Sequence, residues 1–172
     1  MTDASSGEIE PLKLHHAIST FTCGKPSLDT WLHTRALRNQ DTGDSRTFVM
    51  TEGGAVIGFY ALTTASAARV GLPGALRRKA PGPVPLLLLG QLAVATSHAG
   101  QGYGRRLLGD ALHRAADASR QIGFRVLATH PIDDEAERFY SRFGFTLVPD
   151  TQTSLMVLPL HRLLAAVQAS RL

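Results

Sequence analysis

Apolar positions along this chain change their period several times, and each change marks an element. Leu12 and Leu14 alternate with polar neighbours and predict a first edge strand behind a loose polar leader over residues 1–10. From Pro26 and Ser27 the period lengthens. Leu28, Trp31 and Leu32 fall at i, i+3 and i+4, one apolar stripe of a helix that the turn chemistry of residues 41–45 ends. Residues 47–51 and 55–64 read as two strands joined across Glu52-Gly53-Gly54, where glycine supplies the positive φ of a tight hairpin. Residues 71–85 carry three Gly-or-Pro pairs and the run Arg77-Arg78-Lys79, an exposed loop with room for a short helix. A near-continuous apolar run over 85–94 predicts a strand covered on both faces.

Beyond a glycine-rich turn, Leu107, Leu108, Ala111, Leu112, Ala115 and Ala116 return to helical spacing. Residues 125–129 form a short buried strand. Asp134 and Glu137 make a capping box for the next helix, and Gly144 suits its left-handed end. Residues 145–148 and 154–158 are two more strands, and a short amphipathic helix follows from His161. The order β, α, β, β, β, α, β, α, β, β implies an α+β domain with a mixed central sheet and helices on both faces.

At 172 residues, with 44% hydrophobic and 19% charged positions, the chain reads as a single globular domain, 1–172. The one cysteine, Cys23, excludes an internal disulfide and a multi-thiolate metal site, and no metal is expected. The polar start and the absence of any apolar run near ~20 residues imply a cytoplasmic protein with no membrane partner. A net charge of +4 favours polyanionic partners.

The stretch from Gln91 to Leu112 carries the chemistry. A buried strand enters a turn with glycines at 100, 102 and 104, and a helix follows at once. Glycine lets backbone approach a ligand closely, and amides at a helix start converge where the helix dipole favours negative charge. This is a diphosphate cradle, to which Arg105 and Arg106 can add charge-assisted hydrogen bonds. No GK[ST] ending follows, so a Walker A loop is excluded. The turn comes after at least three strands, which disfavours a dinucleotide fold, whose glycine turn belongs to the first βα unit.

Ala99-Gly100-Gln101-Gly102-Tyr103-Gly104 resembles motif A of the GNAT acetyltransferase superfamily, Q/R-x-x-G-x-G/A. Ala99 stands where that family has Gln or Arg, so one side-chain contact near the diphosphate is absent and the backbone cradle is kept. The likeness extends further. F-x-C-G-x-x-x-L-D-x-W-L from Phe21, S-R-T-F-V from Ser45, P-V-P-L-L-L-L-G-Q-L-A-V and E-R-F-Y-S-R-F-G-F from Glu137 resemble GNAT-type toxins of bacterial toxin–antitoxin pairs. The resemblance implies a GNAT fold that uses acetyl-CoA to acetylate the α-amino group of aminoacyl-tRNA and so blocks translation. It also implies a ribbon-helix-helix antitoxin and a homodimer. Coenzyme A would lie on Leu92, Ala93 and Val94, whose main chain pairs with pantetheine, and on residues Ala99, Gly100, Gln101, Gly102, Tyr103, Gly104 and Arg105.

The resemblance makes Tyr140 the general acid, and a phenol of reference pKa near 10 is protonated at neutral pH. From the residues alone, Phe139, Tyr140 and Phe143 read first as a core stripe with a locally satisfied hydroxyl. No carboxylate stands out as a base, and an α-amino group near pKa 8 is already partly neutral. His98 and His130 near strand ends read as polar loop residues, and Cys23 as a small helix-entry residue. Arg35 and Arg38, at i and i+3 on the first helix, and Arg77, Arg78 and Lys79 are candidates for an RNA-backbone track. Acetylation of a small amine or a protein N-terminus, and a non-catalytic binding module, remain the alternatives.

Overall fold

The computed structural model describes residues 7–67, 82–149 and 154–170, which form seven strands and five helices. The strands are β1 (Ile9–Pro11), β2 (Arg46–Glu52), β3 (Ala55–Ala67), β4 (Val84–Val94), β5 (Val126–Thr129), β6 (Thr146–Leu147) and β7 (Met156–Pro159). The helices are α1 (Pro26–Thr34), α2 (Ala36–Thr42), α3 (Tyr103–Ser119), α4 (Asp134–Ser141) and α5 (Leu160–Ala169). The sheet order is β1-β2-β3-β4-β5-β7-β6, with β4 and β5 parallel and β7 antiparallel to both β5 and β6. The chain forms two compact units, residues 1–63 with 90–111 and residues 64–89 with 112–172.

In the first unit, strand parity decides what each face meets. Val49 and Phe59 are register partners, both fully buried, and they cluster with Leu28, Leu32 and Ala36 of α1 and α2. Trp31 stacks on Phe59 with ring centroids 6.0 Å apart and planes 2° from parallel. The neighbouring residues, Gly58 and Tyr60, point to the opposite face. A Cβ on Gly58 would lie 2.8 Å from Leu107 Cδ1 and 3.3 Å from the Ala93 carbonyl, so only glycine lets α3 close onto the sheet there. Tyr60 donates its hydroxyl proton to the Asp110 carboxylate on the same helix. Helices therefore cover both faces within this unit.

Several boundaries differ from the sequence expectation. The first strand is Ile9–Pro11, not the Leu12–Leu14 alternation: Leu12 enters the core and Leu14 is 89% exposed. Residues 9 and 10 thus leave the expected leader, because β2 supplies a ladder through Ile9↔Met50. The helix from Pro26 is two helices, since Arg35 leaves helical geometry at φ −120°. The bend carries Gln40 to β2, where its side-chain carbonyl accepts from the Thr47 amide at 2.8 Å and its amide reaches the Leu12 carbonyl at 3.3 Å. Tertiary hydrogen bonds there override a continuous apolar stripe. The 53–54 hairpin forms as expected, with φ of +58° and +81°.

Thr47 is fully buried in β2, and among the described residues its hydroxyl has no partner. Replacing a buried, unsatisfied hydroxyl by a methyl of the same shape removes a desolvation cost of about 1 kcal/mol. Thr47→Val is expected to raise the melting temperature by about 2–4 °C, the shift such a change produces in a domain of this size. A calorimetric scan checks it, and a lowered midpoint would mean that the hydroxyl is satisfied in solution.

In the second unit β5 lies between β4 and β7. Val126 and Ala128 face a cluster with Val84, Leu86, Val148 and Val157, while Leu127 and Thr129 face the other way. Asp133, not Asp134, caps α4: its carboxylate accepts from the Ala136 amide at 2.8 Å, so the Asp134/Glu137 box does not form. The helix starts one residue earlier than its acidic run suggested, which moves Glu137 past the position that reaches back to the cap. Its far end follows the expectation. Gly144 at φ +92° closes a Schellman motif, with the Gly144 amide on the Ser141 carbonyl at 3.2 Å and the Phe145 amide on the Tyr140 carbonyl at 3.3 Å. Helix α5 forms with Leu163 and Val167 buried, anchored where the Leu160 amide meets the Arg125 carbonyl at 3.0 Å.

Candidate active site

The glycine turn belongs to the first unit. Strand β4 outruns its partner: the β4–β5 register ends at Leu89↔Thr129, and Gly90–Val94 continue beyond it. These are the residues from which Leu92, Ala93 and Val94 were expected to pair with a ligand's main-chain-like arm. The strand exit is then fixed, with the Ala95 amide on the Ile57 carbonyl at 2.8 Å and the Thr96 amide on the Thr22 carbonyl at 2.9 Å. A short 3₁₀ turn, Thr96–His98, leads into Ala99 and the glycines. Gly100 and Gly102 have φ of +73° and +83°, and a Cβ on either would meet no protein atom within 4 Å. The turn needs glycine for its backbone, and the space before it is open.

Helix α3 opens at Tyr103, and its first full-turn bond is the Arg106 amide on the Gly102 carbonyl at 3.2 Å. The amides from Gly102 to Arg105 precede the first intrahelical donor and converge at the positive end of the helix dipole. A diphosphate fits this arrangement. Arg105 is exposed beside it. The Arg106 guanidinium donates to the Gly7 carbonyl at 2.6 Å and lies 5.7 Å from the Tyr103 ring centre. The leader takes this arginine, which adjacency in sequence could not reveal.

His98 and Glu52 hold the start of the turn. His98 Nε2 lies 3.1 Å from Glu52 Oε2, and Nδ1 lies 2.7 Å from Ser97 Oγ. The His98 and Tyr103 rings are 5.8 Å apart, so this pair braces the glycine segment at both ends. Sequence reading left both as loop residues 46 positions apart, with no signal that they meet.

Tyr140 belongs to the second unit and is 6% exposed. Its ring packs edge-on against Phe139 and at a 59° tilt against Phe145, with centroids 5.3 and 5.4 Å away. Burial pushes the phenol from 10.0 up to about 12. The tyrosine is thus a core residue that keeps its proton. Thr129 is buried at the end of β5, its hydroxyl donating to the Leu89 carbonyl at 2.8 Å. His130, one residue further, donates from Nδ1 to the Ser154 carbonyl at 2.9 Å, which leaves Nε2 as its acceptor nitrogen.

The remaining candidates lie outside the glycine turn. Arg35 sits at the bend between α1 and α2 and Arg38 within α2, both exposed, so the two do not share one continuous helix face. Arg77, Arg78 and Lys79 lie outside the described residues. Burial, with Asp29 next in effect, raises the Cys23 thiol to about 11, far from a reactive thiolate. Glu10, His15 and His16 gather donor atoms within 4.8 Å of one another. His16 Nδ1 accepts from the Lys13 amide at 2.8 Å, so the proton is on Nε2, which donates to Glu10 at 2.6 Å. Neither ring nitrogen keeps a lone pair for a metal ion. The same bond holds the Glu10 carboxyl below its usual range.

A mixed sheet in which one strand outruns its parallel neighbour into a glycine turn and a helix start fits a ligand that carries a diphosphate. The acetyltransferase (GNAT) domain profile matches residues 43–147, and the chain belongs to that family. It is 43% identical over 155 residues to the tRNA-acetylating toxin of Mycobacterium tuberculosis (strain ATCC 25618 / H37Rv), covering 89% of this chain and 93% of that one. Among solved structures, AtaT complexed with acetyl-methionyl-tRNAfMet is 25% identical with a TM-score of 0.83, over 92% of this chain and 97% of that chain. AtaTR bound with AcCoA is also 25% identical, with a TM-score of 0.81 over 92% and 96% of the two chains.

Proposed function

We propose that this protein is a toxin that transfers the acetyl group of acetyl-CoA to the α-amino group of aminoacyl-tRNA and thereby blocks translation. The observation that carries the reading is the strand–glycine turn–helix from Leu92 to Arg105, with Gly100 and Gly102 left-handed and open in front. Its likeness to a tRNA-acetylating toxin over nearly the whole of both chains supplies the acceptor. Coenzyme A would be held by the amides of residues 100–105, with Arg105 adding charge, and along Leu92, Ala93 and Val94. Bound there, it supplies an acetyl thioester.

The Val94 amide polarises the carbonyl that the amine attacks, as a preorganised donor does. Tyr140 keeps its proton at neutral pH and delivers it to the departing sulfur. No carboxylate base is required, because an α-amino group near pKa 8 is neutral in part at pH 7 and esterification of its carboxylate lowers it further. Arg35, Arg38, Arg77, Arg78 and Lys79 lie along the tRNA backbone, consistent with a net charge of +4. The protein acts in the cytoplasm as a homodimer and is neutralised by a ribbon-helix-helix antitoxin. No helix among the described residues is long and apolar enough to cross a membrane.

Incubation with labelled acetyl-CoA and total tRNA, charged and uncharged, tests the reading. Label is expected on charged tRNA alone and to leave with the amino acid when the ester is hydrolysed. Transfer to free amines or protein N-termini without RNA would replace the proposed acceptor.

A further inference from the structure

Between His98 and Tyr103 the glycine turn passes through Gly100 and Gly102, at φ +73° and +83°. A Cβ on either would meet no atom of the described residues within 4 Å. Its conformation is therefore set from its two ends, and one chain of side-chain contacts holds both. At the first end, the Glu52 carboxylate only accepts hydrogen bonds, so His98 Nε2, 3.1 Å from Oε2, carries a proton. Nδ1 meets the Ser97 hydroxyl at 2.7 Å. With both nitrogens engaged, the plane of the imidazole is fixed.

At the far end the same imidazole packs on the Tyr103 ring, with centroids 5.8 Å apart and planes inclined by 59°. Tyr103 opens α3, and the Arg106 guanidinium lies 5.7 Å from its ring centre. Arg106 in turn donates to the Gly7 carbonyl at 2.6 Å. The contacts run Glu52–His98–Tyr103–Arg106–Gly7. They close the span between the residue before the turn and the residue that starts the helix.

We infer that His98 is a positioning residue for the coenzyme: tied to Glu52 and packed on Tyr103, it holds the glycine turn and the first α3 amides in their binding geometry and so sets the affinity for acetyl-CoA. The inference rests on the turn being the diphosphate cradle. The Glu52 side chain is 51% exposed, where an ion pair adds little to stability. What the pair supplies is order. A turn that is already held loses little entropy when the diphosphate binds, whereas a loosened one must be fixed at that moment. The signature is a change in coenzyme binding with no change in the chemical step.

His98→Ala removes the imidazole. Calorimetry should show acetyl-CoA binding weakened about 5- to 20-fold, roughly the effect of ordering one residue's backbone. With acetyl-CoA saturating, kcat should stay within about twofold. The kcat/KM for acetyl-pantetheine, a donor with no diphosphate, should be unchanged, which a general loss of structure would not allow. Glu52→Ala should weaken acetyl-CoA binding in the same direction. Added to His98→Ala it should cost less than about a further twofold, because either change opens the same link. Glu52→Gln keeps an acceptor for Nε2 and should recover most of the loss. Both Glu52 changes remove the same negative charge, so the difference between them isolates the hydrogen bond.

Three results would each overturn the inference: His98→Ala binding acetyl-CoA as tightly as wild type, acetyl-pantetheine turnover falling as far as acetyl-CoA affinity, or Glu52→Gln behaving as Glu52→Ala. Should His98→Ala fail to fold, the two variants at the exposed Glu52 decide alone. Gly102→Val separates the two readings. If it binds acetyl-CoA weakly while His98→Ala binds normally, only the role of His98 falls; if it binds normally, the cradle assignment falls and takes this inference with it.

Discussion

Tyr140→Phe is expected to lower kcat by about 100- to 10,000-fold, the range that a positioned general acid contributes, while acetyl-CoA affinity stays within about twofold. The ring contacts to Phe139 and Phe145 do not involve the hydroxyl. Stability should therefore fall by no more than about 1 kcal/mol, one neutral hydrogen bond, so loss of rate cannot be loss of fold. The pH dependence follows from sign. Burial raises the phenol to about 12, so its acid form persists as pH rises and is lost only as pH passes through that value. Between about pH 6 and 8, kcat/KM for the amine should rise as the α-amino group, which esterification puts below ~8, deprotonates. A fall in that window, present in wild type and absent in Tyr140→Phe, would show that Tyr140 titrates far below this value.

Gly102→Val is expected to weaken acetyl-CoA binding at least about 30-fold, measured by calorimetry, whereas Gly53→Val leaves binding unchanged. The pair separates strain from site. Both glycines are left-handed, at φ +83° and +58°, and a Cβ on either would meet no atom of the described residues within 4 Å. Each substitution therefore costs the left-handed penalty of about 1–2 kcal/mol, with no clash to add. Melting temperatures should fall by similar amounts. Only Gly102, directly before α3, places new bulk at the amides that would hold the diphosphate. About 30-fold corresponds to ~2 kcal/mol, modest for losing close approach to a doubly charged group. Equal effects on binding would assign the diphosphate to another part of the chain.

The local features of the site were readable because they are short-range. Strand, glycine turn and helix from Gln91 to Leu112 announce themselves through a change of apolar period and the left-handed positions glycine supplies. Gly53-Gly54 and Gly144 did the same for a hairpin and a helix end. Shifts of one to three residues, as at Ile9–Pro11 and Asp133, arose where a ladder or cap was settled by a partner that local pattern does not contain.

The break at Arg35 belongs to a different class. Nothing in the Leu28–Trp31–Leu32 stripe interrupts a helix; the bend exists because Gln40 bonds to the Thr47 amide and the Leu12 carbonyl. Arg106 likewise has the charge and position for phosphate, and a carbonyl 99 residues earlier takes it.

By itself the sequence determined the α+β order, the glycine cradle and the tyrosine with the family resemblance to interpret it, since each depends on neighbours within a few turns of chain. Only the tertiary structure decided which polar groups meet: Thr129 with Leu89, His98 with Glu52, Arg106 with Gly7. A hydrogen bond depends on distance and direction to tenths of an ångström, and those are set by packing across the sheet, not by residue type.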